Sequence, residues 1–147
     1  MPAIRRTPLI EFFWAIHRWL YQKTGGRLGS TILGNAVLLL TTTGRKTGKM
    51  RTTALTYLHD DGRLVVIASN AGERRHPAWF LNLMSHPRAT AQVGPMVLTV
   101  HGREAVGDER ERLWSRIVEM DRSYAEYQAR TTRQIPVVVL EAVQLDG

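Results

Sequence analysis

The segment from Gly44 to Arg51 (GRKTGKMR) combines residue types that can bind an anion. Its two glycines can adopt bends that direct backbone N–H groups into a concavity. It differs from a Walker A loop, because only three residues separate the glycines and Met50 stands where the magnesium-binding hydroxyl would be. The pattern predicts a phosphate or carboxylate site, and a solvated basic hairpin turn is the alternative. Four cations without an intervening acid favour the site: Arg45, Lys46, Lys49 and Arg51.

Other chemically reactive groups are scarce in the sequence. The absence of cysteine excludes disulfides, thiolate zinc sites and thiol nucleophiles. The five histidines lack the H-x-x-x-H and H-E-x-x-H spacings of metal sites, and no G-x-S-x-G marks a nucleophilic serine. We therefore predict no metal, and we expect a bound cofactor to supply the difficult chemistry if the protein is an enzyme.

The positive charge is concentrated in the first part of the chain. The net charge of the 147 residues is +7, but residues 1–58 hold nine Lys/Arg and one acid, whereas residues 59–147 hold eleven Lys/Arg and twelve acids. This distribution places the anion-binding character in the region that contains Gly44 to Arg51. The basic residues are not interleaved with aromatic residues as in nucleic-acid readers, so we expect no nucleic-acid partner.

Helix and strand signals surround the basic segment. Residues 8–23 carry apolar side chains at three- and four-residue steps, which predicts an amphipathic helix ended by the glycines at 25, 26 and 29. Strand formers predict six strands, at Ala36–Thr43, Arg51–His59, Arg63–Ser69, Ala89–Val93, Met96–Val106 and Pro136–Val143.

Three further helices are predicted downstream. Pro77 opens a short helix in which Trp79, Leu83 and Phe80 turn inward. Asp108 and Glu111 form a capping-box pattern for the next helix. The last is predicted at Ser123–Arg130.

The order of these elements is not the strand–helix alternation of a doubly wound sheet. We predict an α+β fold, a small and mostly antiparallel β-barrel with helices packed outside. The length fits one domain, with residues 1–30 forming the first helix and loop and residues 31–147 the barrel. No apolar run is long enough to span a bilayer and no secretory signal is evident, so we expect a cytoplasmic location.

From Leu38 to Val143 the sequence resembles the deazaflavin-dependent nitroreductases, split-barrel oxidoreductases that use coenzyme F420. Four segments carry the resemblance, in the family's order and with similar spacing: TTTGRKTGKMRTTAL, VVIASNAG, HPAWFLNLMSHP and SYAEYQARTTRQIPVVVLEA. The resemblance implies an FMN-binding-like split β-barrel, F420 as the cofactor and a homodimer.

The resemblance also implies the cofactor-binding residues. F420 joins a deazaflavin ring to a phosphodiester and an oligoglutamate tail, so it needs an apolar slot and several cations. Arg45, Lys46 and Arg51 match the family's phosphate- and tail-binding positions. The other implied positions are Thr47, Gly48, Lys49, Thr52, Thr53, Ala54, Ser69, Asn70, Ala71, Gly72, Trp79 and Asn82. For Trp79, packing in the protein core is the alternative to contact with the deazaflavin ring.

Tyr124 and Tyr127 match tyrosines that line the substrate side in related reductases. Their spacing places both hydroxyls on one helical face, where they and Ser69 could hydrogen-bond an acceptor oxygen as charge develops there. Covering a core edge is the alternative role for the pair. The sequence departs from related nitroreductases at Asp121 and Asn70, where an aromatic residue and a lysine can stand, and this bears on nitroimidazole turnover.

These observations favour hydride transfer from reduced F420 to an electron-poor organic acceptor, such as a quinone, a nitroaromatic or an activated alkene. One alternative is a split-barrel oxidoreductase that uses FMN. Another is a non-catalytic module that binds a cofactor or attaches through residues 8–23 to a partner or to the inner face of the cell membrane.

Overall fold

A computed structural model describes residues 31–32 and 35–143 of the chain. The predicted helix over residues 8–23 and its glycine cluster lie outside the described residues. The strands are β1 (Thr31–Ile32), β2 (Asn35–Thr43), β3 (Met50–Asp60), β4 (Arg63–Ile67), β5 (Arg88–Val93), β6 (Met96–Glu104) and β7 (Val137–Ala142). The helices are α1 (Ala78–Ser85), α2 (Gly107–Met120) and α3 (Ser123–Ala129), and a 3₁₀ turn lies at Asn70–Gly72.

Six strands close into a barrel in the order β2, β3, β4, β7, β6, β5, with β5 pairing back to β2. Every pairing is antiparallel, and the two-residue β1 adds to β2. The predicted α+β antiparallel barrel is confirmed. All six predicted strands are present, although β4 ends at Ile67 and β6 at Glu104, two residues before their predicted ends.

The barrel interior is formed by every second residue of each strand, as the pleat requires. Leu38 and Leu40 of β2, Leu55 of β3 and Leu140 of β7 meet there. Helix α1 closes one end, as its inward side chains predict: Trp79, Phe80 and Leu83 are all buried. Gly102 of β6 leaves room for this helix, because a Cβ there would lie 2.5 Å from Leu83 Cδ2.

A second apolar cluster lies outside the barrel, where α2 covers β4 and β7. Leu113 and Ile117 of α2 pack there on outward-facing strand residues such as Val65 and Val139. The helix is present, but its predicted capping box is wrong. Helix α2 begins at Gly107 and its N-cap makes no side-chain hydrogen bond, so Asp108 lies inside the first turn, where its charge still favours the helix N-terminus.

Strand β4 pairs with only the last four residues of β3. The two strands pair from Asp60–Arg63 to Tyr57–Val66. From residue 50 to residue 56, β3 pairs with β2 on one side, and no described strand pairs with its other side. We call residues 50–56 the open half of β3. The barrel is therefore open between β3 and β4, at the same end against which α1 packs.

Candidate active site

The connection between β2 and β3, residues Gly44–Lys49, is a compact loop that we call the basic loop. The Gly44 N–H donates to Lys49 O and the Gly48 N–H donates to Gly44 O, both at 2.8 Å. Gly48 has a φ of 74°, which favours glycine. A Cβ on Gly44 would lie 3.0 Å from Thr47 Oγ1 and from Lys49 O, so the close approach within the loop favours glycine at position 44.

Helix α1 anchors this loop from behind. The Arg45 N–H donates to Asn82 Oδ1 at 3.1 Å, and Asn82 Nδ2 lies 3.5 Å from Thr42 Oγ1. Asn82 and Thr42 are both buried. Asn82, which the sequence assigns to the cofactor pocket, therefore fixes the position of the loop through its backbone.

The basic loop and the start of β3 carry an unpaired set of anion-binding groups. Within residues 31–32 and 35–143, none of the four cations joins an ion pair, and all four are exposed. The backbone N–H groups of Lys46 and Thr47 also have no partner there. Charged side chains beside free N–H groups suit phosphate and carboxylate oxygens. The donor set therefore fits an elongated polyanion.

Strand β3 leads from this loop along an outward-facing row. Thr52 Oγ1 lies 2.8 Å from Thr41 Oγ1 on the neighbouring strand, and Ala54 and Thr56 follow on the same face by alternation. Arg51 and Thr53 share the opposite face with the inward Leu55. At the usual rise of about 3.4 Å per residue, the strand extends about 17 Å from Arg51 to Thr56.

The turn that follows β4 is bent into an unusual backbone conformation. Ser69, which is buried, precedes three residues with positive φ: Asn70 at 45°, Ala71 at 52° and Gly72 at 79°. Asn70 Nδ2 donates to Arg75 O at 3.0 Å. Asparagine adopts left-handed backbone more readily than most residues with a side chain, which suits the φ of 45° at this position.

The two tyrosines of α3 lie together, as predicted. Their ring centroids are 5.8 Å apart at 85°, and both rings pack on the apolar cluster under α2. Burial raises the pKa of Tyr124 to about 12, and a hydrogen bond with Thr56 partly opposes this shift. That contact places Tyr124 at the far end of the outward row of β3.

Asp121 and Trp79, which the sequence singles out, both have structural roles. Asp121 Oδ1 accepts the Ser123 N–H at 2.9 Å, so this side chain supports the start of α3. Trp79 lies in the barrel core, edge-on to Phe80 with centroids 6.2 Å apart. Its buried Nε1 has no hydrogen-bond partner among the described residues. Core packing therefore accounts for its ring, whereas contact with the cofactor ring stays a prediction.

The sequence did not identify Thr56 or Arg133 as site residues. Thr56 was visible as part of a strand, but its contact with Tyr124 joins residues far apart in the chain. Arg133 contacts the Ser69–Glu73 turn through its guanidinium. No local pattern marks it, because its partners are backbone carbonyls more than 55 residues away.

Two kinds of feature are absent from the described part of the chain. Its His, Asp and Glu residues form no group of three that could hold a metal ion. None of its helices is both long enough and apolar enough to cross a membrane.

Comparisons with known sequences agree with this geometry. Residues 14–142 match the family described as F420H(2)-dependent quinone reductase. An F420H(2)-dependent quinone reductase of Mycobacterium tuberculosis is 40% identical over 129 residues, which cover 85% of this chain and 87% of the relative.

Two solved structures are also similar. An F420-H2 dependent reductase (FDR-A) is 40% identical, with a TM-score of 0.66 over 71% of this chain and 93% of that one. A second structure, described as a domain-swapped dimer, is 37% identical, with a TM-score of 0.70 over 92% of this chain and all of that one.

Proposed function

The chain belongs to the F420H2-dependent quinone reductase family, and from that premise we propose that it transfers a hydride from reduced F420 to a quinone. It is an oxidoreductase with F420 as its cofactor. The observation that carries the proposal is the placement of two unlike sites on one strand. A polycationic loop without ion pairs in the described structure lies at the start of β3, and a pair of half-buried phenols lies about 17 Å along it.

The basic loop would hold the charged end of the cofactor. Arg45, Lys46, Lys49 and Arg51 supply positive charge, and the N–H groups of Lys46 and Thr47 supply directed donors. Asn82 keeps the loop in place, so little ordering is needed when an anion binds. We assign Thr52, Thr53 and Ala54 of the open half of β3, and Ser69 to Gly72 of the turn after β4, to the ring end of the cofactor.

The acceptor would lie against α3. When bound, F420H2 supplies the hydride. Tyr124 and Tyr127 present phenolic O–H groups that can donate to the acceptor oxygen as negative charge develops there. Because the pKa of Tyr124 is raised to about 12, its O–H stays protonated through the neutral range. Packing against the apolar cluster excludes water from one side of the pair. Ser69 is the third donor that we assign to this end.

The cofactor assignment is tested by an anaerobic titration. The full chain is titrated with F420 and, separately, with FMN, and the fluorescence of each cofactor is followed. We expect micromolar or tighter binding of F420, and oxidation of F420H2 that depends on an added quinone. Binding of FMN without binding of F420 would support the alternative oxidoreductase. Binding of neither would favour a module without this chemistry.

We further propose that the acceptor range includes nitroaromatics and activated alkenes. Both acquire negative charge on oxygen during reduction, which the same phenols can stabilise. Comparing the rates with a quinone, a nitroaromatic and an enone would test this. Tyr124→Phe should slow all three reactions, and loss of only one would show that the donor is specific to that acceptor.

We also propose a homodimer and peripheral membrane contact. The first rests on the similar structure described as a domain-swapped dimer. The second rests on the amphipathic pattern of residues 8–23. Light scattering of the full chain tests the first. Flotation with anionic liposomes, comparing the full chain with a chain lacking residues 1–25, tests the second, which fails if both float equally or neither does.

A further inference from the structure

The guanidinium of Arg133 binds three backbone carbonyls around the turn that follows β4. Its Nη2 donates to Ser69 O at 2.7 Å, its Nη1 to Ala68 O at 3.2 Å and its Nε to Glu73 O at 2.9 Å. Two of these carbonyls precede the Asn70–Gly72 turn and one follows it. A single side chain therefore fixes both ends of the turn.

The turn needs such support because its own hydrogen bonds are few. Asn70 and Ala71 hold positive φ values of 45° and 52°, which are unfavourable for residues with a side chain. Within the turn, the Gly72 N–H donates to Ser69 O and the Glu73 N–H to Asn70 O. The N–H groups of Asn70 and Ala71 have no partner among the residues that the structure describes. They remain available as donors.

Arg133 is in turn fixed to the helix that carries the tyrosines. Gln128 of α3 donates through Nε2 to Arg133 O at 2.7 Å and accepts the Ile135 N–H through Oε1 at 2.9 Å. On the other side, a Cβ on Gly72 would lie 2.6 Å from Tyr127 O. The turn and α3 therefore touch directly and are also joined through Arg133.

Lysine could not replace Arg133 in this position. In a fourth contact, Arg133 Nη1 lies 3.2 Å from His76 Nδ1. Nitrogen atoms on several sides of the planar guanidinium therefore have partners. A lysine ammonium has three donors on one atom and cannot reach carbonyls on both sides of the turn. The contacts therefore depend on guanidinium geometry and not on charge alone.

We propose that Arg133 is a positioning residue that holds the Asn70–Gly72 turn in its left-handed form, so that the Asn70 and Ala71 N–H groups and Ser69 face the ring end of the cofactor site. This rests on the proposed function. Arg133 itself touches neither cofactor nor acceptor in this assignment. The ligand chemistry that fits the turn is a hydrogen-bond acceptor, such as a carbonyl oxygen of the deazaflavin ring.

The test compares two ligands and three variants. The ligands are F420 and the deazaflavin with its ribityl chain alone, which lacks the phosphate and the glutamates. Arg133→Lys should weaken both about tenfold, because the ring end is affected. Lys46→Glu should weaken F420 and leave the ring-only ligand nearly unchanged. Arg122→Lys, an exposed arginine before α3, is the matched control and should alter neither.

A second-site substitution distinguishes the loss of turn positioning from a general destabilisation of the fold. Ala71→Gly removes the penalty for positive φ at that residue, so Arg133→Lys combined with Ala71→Gly should regain several-fold affinity for the ring-only ligand. Hydrogen–deuterium exchange should show faster exchange at residues 70–73 in Arg133→Lys and unchanged exchange in β4 and β7. Unchanged ring affinity in Arg133→Lys, or absence of suppression, would overturn the proposal.

The two proposals can fail separately. If the wild-type protein binds neither ligand, the proposed function fails, whereas the exchange rates at residues 70–73 still report whether Arg133 holds the turn. If the wild-type protein binds F420 and Arg133→Lys binds it equally well, only the role of Arg133 fails.

Discussion

Strand β3 has a cluster of cations at each end, and the two clusters differ in what neutralises them. At its start, the four cations of the Gly44–Arg51 segment have no carboxylate partner in the described ranges. At its end, three arginines surround the buried Asp60: Arg63 at 2.9 Å, Arg112 at 2.8 Å and Arg116 at 2.7 Å. Within the described ranges, similar charges are thus left without a carboxylate partner at one end and are paired within the fold at the other.

The paired cluster attaches α2 to the barrel. Arg112 and Arg116 belong to α2, whereas Asp60 ends β3. The network continues through Glu109, which lies 3.3 Å from Arg63 and 2.6 Å from Arg103. The arginines hold the pKa of Asp60 well below its usual range despite its burial. Each arginine of this cluster thus has a carboxylate partner, unlike the cations of the Gly44–Arg51 segment.

Reversing charge in the unpaired cluster should have the largest effect. Each charge-assisted contact contributes about 1.5–3 kcal/mol when well formed, so Lys46→Glu with Arg51→Glu should weaken F420 binding by at least about 100-fold. FMN, with its shorter anionic tail, should lose far less affinity. The melting temperature should change little, because neither side chain has a partner in the described structure. Fluorescence titration measures this, with Arg122→Glu as the control. Equal losses for F420 and FMN would contradict it.

Removing the carboxylate charge of the paired cluster should have the opposite effects: stability should fall and F420 affinity should persist. Asp60→Asn should lower the free energy of unfolding by about 2–3 kcal/mol, because a buried ion pair is broken while the arginines can still be partly hydrated. The melting temperature should fall by about 5–10 °C, and F420 affinity should persist. Asp61→Asn, at the exposed neighbouring position, is the control and should be neutral. A loss of cofactor affinity in Asp60→Asn would mean that the two clusters are coupled.

Salt should distinguish the clusters without mutation. Raising the ionic strength from 0.05 to 0.5 M shortens the screening length severalfold, so F420 affinity should fall roughly tenfold. The free energy of unfolding should change much less, because Asp60 is shielded from solvent. Calorimetric titration and urea unfolding at each salt concentration measure the two effects. A variant with Lys46→Glu and Arg51→Glu that kept the full salt dependence would refute the assignment of the binding cations.

Acid should affect only the paired cluster. The folded-state pKa of Asp60 is lowered from 3.8, so its stabilisation is complete above that value and is lost as the pH falls below it. The stability difference between wild type and Asp60→Asn should therefore be constant above about pH 5 and shrink by up to about 1.4 kcal/mol per pH unit below pH 4. Urea unfolding from pH 3 to pH 6 checks this. A constant difference throughout would show that Asp60 does not titrate in this manner.

Local pattern was enough to predict the barrel and the position of the basic loop. Strand alternation, the glycine spacing and the apolar face of α1 are read from neighbouring residues, and each is confirmed. The role of Asp60 could not be predicted in this way, because two of its arginine partners lie 52 and 56 positions later. Local pattern also missed the positive φ of Ala71, since alanine gives no signal for that conformation and Arg133 supports it from a distant segment. Long-range polar contacts are thus the part that the sequence did not disclose.

The open half of β3 also bears on which surfaces copies of this protein can use to associate. An unpaired strand edge is a template for pairing with another chain, and proteins commonly protect such edges with charged side chains. Arg51 stands at the start of this edge and the rest of the cation cluster lies beside it. The repulsion that these charges create would oppose strand-to-strand association before the ligand arrives. We therefore expect the cations proposed to bind the cofactor also to oppose pairing of this edge with another chain.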